Sequence, residues 1–557
     1  MMSDGFAYLE RDGQRLGWAS TVFLGLTIVL CFRSLRWVVI PVAVVQWSLL
    51  VTQALLVWLQ LPLSMVSSML TAIVTVIGVA TVMHVIVRYR EARRRYDSPR
   101  ATLAWTMSVL AGPVFWACVT DAAGFAALLA AKVGPVQDFG VMMAVGSLVV
   151  LAGVFLLLPG LALLGTLDAD PHRAWGEAWL DGPLRSPLKW SRRRPKLMAA
   201  LCVAFFGFTA AGVGFLKVET DFTRNFREDS PIVRSYQVIE TRLGGAGVWD
   251  ILLPAEEKLD WEFLQKAAAL QERLRTETAA AFPENPPLNA LSLVDAVHAS
   301  IPNLEEQPAM LRGVLLSGIL QAMHAQMPAF TAAMHGEDPQ QPGRYYYRVM
   351  LRAAERQPTE DKQRLISLVR KIAREEFPQA ETTGFFVLLA QLVQSMLRDQ
   401  WLTFAAAMAG IALVMALAFR SPLYAVLALI PNALPIFTVT GLMGWSGWKI
   451  NMGAAMIAAV SLGLSVDSSI HYIRFYRLAR RRGDSFQAAI SKVQATVGRA
   501  MVFSTLALIV GFSVLCASEF IPTIYFGAMV SLSMAGGLLG NLVVLPLLLR
   551  AGAPKTE

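Results

Sequence analysis

The sequence predicts a polytopic α-helical membrane protein built from two parallel pseudo-repeats of transmembrane helices and one exported α+β domain. Three observations predict it. The 557 residues are 55% hydrophobic and only 16% charged, too apolar for an ordinary soluble chain. Eleven apolar runs approach the roughly 20 residues that a spanning helix needs. And the two ends of the chain fall into register at one offset, 387 residues.

In chain order, residues 1–16 (MMSDGFAYLERDGQRL) lack a basic segment followed by an apolar one, so they do not read as a signal peptide. They read as a short periplasmic tail. The first bundle, 17–165, holds spans at 17–33, 37–59, 64–88, 103–130 and 138–165. A basic linker follows at 166–196, then a span at 197–216. A mixed-polarity block at 217–400 reads as the exported domain. The second bundle, 401–549, holds spans at 401–419, 423–445, 451–475, 499–517 and 523–549, and 550–557 is a tail.

Charge gives the orientation. The loops at 33–36, 88–100, 166–196, 420, 474–499 and 550–557 carry 25 Lys and Arg, whereas the opposite short loops carry two, Lys132 and Lys449. That positive-inside bias places the C-terminus in the cytoplasm and the large block outside, in the periplasm of a Gram-negative host. The net charge of +9 is therefore a topology signal and implies no nucleic-acid partner. The four cysteines all fall in apolar spans, so neither a disulfide framework nor a zinc site is expected.

The repeat is carried by landmarks. FRS at 32–34 meets FRS at 419–421, His84 meets His471, and RYREARRR at 88–95 meets FYRLARRR at 475–482. Gly124, Pro135, Phe139 and Pro159 meet Gly511, Pro522, Phe526 and Pro546. Parallel repeats related by an axis along the membrane normal are a transporter plan. The second copy is preceded by a helix and the exported domain, and the first is not. Arg11 and Asp12 align with Arg398 and Asp399, so the tail reads as the remnant of a first domain in an N-terminally shortened chain.

In the exported block, VWDILLP, RYYYRVMLRA (344–353) and ETTGFFVLL (381–389) read as strands, and helical patterns cover 260–281, 305–334 and 359–376. The order suggests a split βαβ unit. The Met-rich stretch 309–334 reads either as a soft lining for a greasy substrate or as helical core.

The chemistry concentrates in GLSVDSSIHYIRFY (463–476). Asp467 and His471 are four residues apart inside an apolar span, on one helix face. A charge at the bilayer centre costs roughly 3 kcal/mol, so such groups face the bundle interior. A carboxyl balanced between burial and a nearby imidazolium can load and release a proton. The alternative is a structural Asp–His hydrogen bond between helices. Ser468 lies beside Asp467, and Ser504 and Thr505 on the next span are candidate donors. The first copy keeps His84 but has Ala80 where Asp467 sits. Asp121, on another span, either partners His84, faces Asp467, or bonds locally. Pro431 and Pro435 should bend their span, with Asn432 satisfying freed backbone groups. There is no Gly-rich phosphate loop, no metal-ligand spacing and no sign of an enzyme or a cofactor.

GLSVDSSIH, the FRSP turn before IPN, the ET-F-F-DSP opening of the exported block and its closing TTGF resemble the RND superfamily, in its lipid-exporting branch of MMPL-type, hopanoid-transporter and Patched-like proteins. The resemblance covers nearly the whole chain. It implies ferredoxin-like periplasmic porter domains, an inner-membrane location and export of lipids or other hydrophobic compounds driven by proton influx. It places Asp467, with His471 nearby, at the proton-relay position. A homo-oligomer (dimer or trimer) and a periplasmic adaptor are the partners such a plan would use. Two other readings stay open: a lipid-sensing or accessory subunit that needs a partner for the missing helix and domain, and a component of protein translocation.

Overall fold

The computed structural model describes all residues except 1, 62–68, 166–170, 172–181, 183–192, 219–221, 243, 284–287, 302–303, 305–306, 340 and 553–557. Most of the 166–196 linker, the start of the exported block and the end of the tail therefore lie outside the described residues. The chain divides into two compact units, residues 1–218 with 395–557, and residues 219–394.

The first unit is helical. In order it contains α1 (Met2–Phe32), α2 (Arg36–Trp58), α3 (Leu70–Arg93), α4 (Pro99–Ala126), α5 (Gly134–Leu156), the short α6 (Leu158–Leu163) and α7 (Pro195–Gly212). Among the described residues, eleven helices are long and apolar enough to cross a membrane. Pro99 and Pro135 stand in the first turns of α4 and α5, where a missing N–H costs nothing.

The second unit carries α8 (Pro231–Arg242), α9 (Trp261–Ala281), α10 (Leu293–Ser300), α11 (Ala309–Gln326), α12 (Pro328–Met334) and α13 (Thr359–Glu376) on a sheet. A two-residue strand of the first unit, β1 (Lys217–Val218), pairs parallel with β7 (Lys449–Ile450); in the sheet of the second unit β2 (Gly247–Ala255) is central. It pairs antiparallel with β5 (Tyr345–Ala353, Ile251 opposite Val349) and with β6 (Glu381–Thr383). β3 (Asn289–Leu291) and β4 (His335–Glu337) pair with β5. Inward residues Trp249, Ile251, Leu253, Tyr347, Val349 and Leu351 form the core with α9 and α13. The amphipathic α13 spans the residues its 3.6-residue pattern predicts.

The helices that return the chain to the first unit are α14 (Phe385–Phe419), α15 (Pro422–Ser446), α16 (Met452–Arg481), α17 (Phe486–Ser513) and α18 (Ile521–Leu539). A π-helical turn (Gly540–Val544) leads into α19 (Leu545–Gly552).

Three expectations need correction. Residues 2–16 are not a tail: α1 begins at Met2, and Asp12 is buried within it. The 381–389 strand stops at Thr383. Gly384 has φ +109°, a backbone that ends the strand, and α14 starts at once. The 305–334 helix is two helices, because Pro328 cannot continue α11.

The repeat is exact in structure at several points. Arg33 and Arg420 both adopt the left-handed conformation, at φ 49° and 51°. Asp12 accepts from the Glu519 backbone N–H, and Asp399 from the Lys132 N–H at 2.7 Å, each one copy's helix bonded to the other copy's loop. Residues that touch their own counterpart must lie on the pseudo-axis. Phe139–Phe526, His84–His471 and Arg88–Phe475 do so, with ring centroids 6.2 and 4.5 Å apart and the guanidinium carbon 4.1 Å from the ring centre. The axis thus passes between α3 and α16, the two most enclosed spans, each 94% buried, at the level of the histidines, and between α5 and α18 at the Phe139–Phe526 pair.

Candidate functional site

His84 projects from α3 and His471 from α16, and their rings stack at 4.5 Å with 7° between planes. Asp467, one turn before His471, faces both. His471 Nε2 lies 3.2 Å from Oδ1 and His84 Nε2 3.3 Å from Oδ2. The histidines are 3% and 4% exposed and Asp467 is 20% exposed, so the carboxylate is the one member with an open edge. Neither His84 Nε2 nor Asp467 Oδ1 makes an aligned hydrogen bond, despite those short separations.

Asp121 is brought to the Asp467 side of the site by a helix crossing. Its helix α4 meets α16 backbone to backbone: a Cβ on Gly124 would stand 2.9 Å from the Gly463 Cα. The helices are antiparallel, so Asp121, one turn before Gly124, and Asp467, one turn after Gly463, lie on the same side of that crossing. Asp121 is buried, with no hydrogen-bond partner for Oδ1 among the described residues.

The expected hydroxyl donors do not reach the cluster. Ser504 donates to the Met501 carbonyl of its own helix. Thr505 is buried on α17 and Ser468 is half-buried on α16, and among the described residues neither bonds to Asp467. Sequence reading paired Asp467 with His471 by spacing but left His84 unplaced. The signal was the offset itself, because equal positions of two copies can meet on the axis.

The fold also brings together a set of donors that spacing hid: the ligand atoms of His84, Asp467 and His471 lie within 4.8 Å of one another. The stack argues against a shared ion. A metal sits in the plane of each ligating imidazole at about 2.0–2.1 Å. Two parallel stacked rings cannot both meet that condition at one point.

On the second unit, Met310 and Val314 of α11 are 89% and 65% exposed, while Leu316 and Met323 are buried. The Met-rich stretch is therefore core on one side and open on the other.

The fold and site define a duplicated, multi-pass helical membrane protein whose two halves meet on a buried His–Asp–His cluster. The sequence pattern of the MMPL family matches residues 1–197 and 340–555, and the chain belongs to that family. A membrane protein of Methanocaldococcus jannaschii is also similar, 21% identical over 378 residues that cover 66% of this chain and 93% of the relative.

Proposed function

We propose that the chain is a proton-driven exporter of lipids or other hydrophobic compounds, and not an enzyme. The observation that carries this reading is the His84–Asp467–His471 cluster on the pseudo-axis. There both copies contribute ionisable groups to a single buried site. Asp467 receives and releases the proton, the two imidazoles lie within 3.3 Å of its carboxylate, and Asp121 is a second carboxyl group on the α4 side of the same crossing. A change of charge there alters the attraction between α3 and α16, which lets the copies rock against one another.

The 25-to-2 distribution of Lys and Arg between the two sets of loops supports an inner-membrane orientation with the C-terminus cytoplasmic and residues 217–400 periplasmic. The open apolar side of α11 supports contact with a hydrophobic substrate, a second copy or an adaptor.

The test is proton entry into vesicles that contain the purified chain and a total lipid extract, followed with a trapped pH dye. Asp467→Asn should abolish protein-dependent entry and His84→Ala should reduce it at least about tenfold, with both variants folded. Undiminished entry in Asp467→Asn would overturn the relay.

A further inference from the structure

The two copies differ sharply behind the cluster. In the second copy, α16 is bonded to its own bundle on the faces turned away from His84. Asn432 Nδ2 on α15 donates to Ser469 Oγ and to the Ala428 carbonyl, both at 2.7 Å. Ser469 donates to Asn541 Oδ1 in the π-helical turn, and Asn541 Nδ2 returns a bond to Asn432 Oδ1 at 2.8 Å. A turn along, Tyr472 donates to Gln494 of α17 at 2.9 Å, and Gln494 Nε2 donates to the Leu542 carbonyl at 3.2 Å. Pro546 lacks the N–H that would otherwise bond that carbonyl.

At the offset of 387, these five residues correspond to Val45, Val82, Val85, Met107 and Val154. The four valines are buried in the first bundle. No polar side chain serves the carbonyl freed by Pro159 at these positions, and there the last helix breaks at Leu157 instead of continuing through a π-helical turn. Hydrogen bonds fix rotation and register, whereas valine contacts are non-directional and tolerate sliding.

We propose that Asn432, Ser469, Tyr472, Gln494 and Asn541 are positioning residues of the relay: they lock α16 to the second bundle and leave α3, with His84, as the helix that shifts. The inference rests on the relay reading above. The groups that act on Asp467 are His84 from α3, Asp121 and Cys118 from α4, and His471 from its own helix, which Arg88 also influences. α15, α17 and the π-helical turn contribute the neutral Asn432, Gln494 and Asn541.

The test is carbodiimide labelling of Asp467 against pH in the full chain in lipid vesicles, read by peptide mass spectrometry. The frame is replaced by the first copy's own residues in Asn432→Val/Ser469→Val/Asn541→Val. Removing all partners together leaves no orphaned donor, so folding should persist. Ser469→Val and Ser469→Thr serve as milder variants. The proposal expects the labelling midpoint to move by at least one pH unit, about tenfold in proton affinity, in the triple variant and in Ser469→Val, and to return in Ser469→Thr. A folded triple variant or Ser469→Val with the wild-type midpoint overturns the positioning role while the relay stands. Wild-type labelling of Asp467 that ignores pH, with proton entry surviving Asp467→Asn, overturns both.

Discussion

At the scale of single residues, one substitution separates the copies at the His–Asp–His cluster: Ala80 stands where Asp467 has its carboxylate. A symmetric site would set two carboxylates against the same pair of imidazoles, with Asp121 a third. Ala80→Asp should therefore lower proton entry at least about tenfold, because like charges in one buried site cannot all ionise. The dye assay checks it. Asp399→Ala removes the buried carboxylate that accepts the Lys132 N–H and should cost about 1–3 kcal/mol, seen as a lower melting temperature. Asp467 and His471 were legible in the sequence because a four-residue spacing fixes one helix face. Adjacency of spans does not say which face of the next helix is presented, and Ser504 bonds its own backbone instead of Asp467.

Among elements, the crossing of α4 and α16 is the contact the site depends on. Gly124→Val should cost about 1–3 kcal/mol, since the added atoms meet backbone that cannot yield, and it should move Asp121 away from Asp467. Melting curves and the proton assay read the two effects separately. In the second unit, burial pushes the Tyr347 hydroxyl up to about 12, although bonds with Ser292 and the Val294 N–H oppose the rise. An acid whose folded value is raised contributes stability that is full below about pH 10 and lost as pH climbs toward 12. Tyr347→Phe should cost about 1 kcal/mol at pH 8 and flatten that alkaline loss in melts of the full chain. Helix α13 was legible because its pattern alternates cleanly between charged and apolar faces. The 381–389 strand was not. FFVLL suits a strand and a buried helix equally, and the left-handed Gly384 decides between them.

For the whole molecule, the duplication explains both the fold and its asymmetry. The offset was legible because landmark residues survive in both copies. The axis was not, because it requires knowing which counterparts touch. Pairs such as Phe139–Phe526 and His84–His471 mark the seam between the two bundles, and Asp467, the one carboxylate of the cluster, stands at it. The most direct test of this account follows proton entry and movement of a fluorescent phospholipid in the same vesicles, for the wild type and for Asp467→Asn. The account predicts that both fluxes run together in the wild type and vanish together in the variant. Lipid movement that continues in Asp467→Asn at the wild-type rate would contradict it.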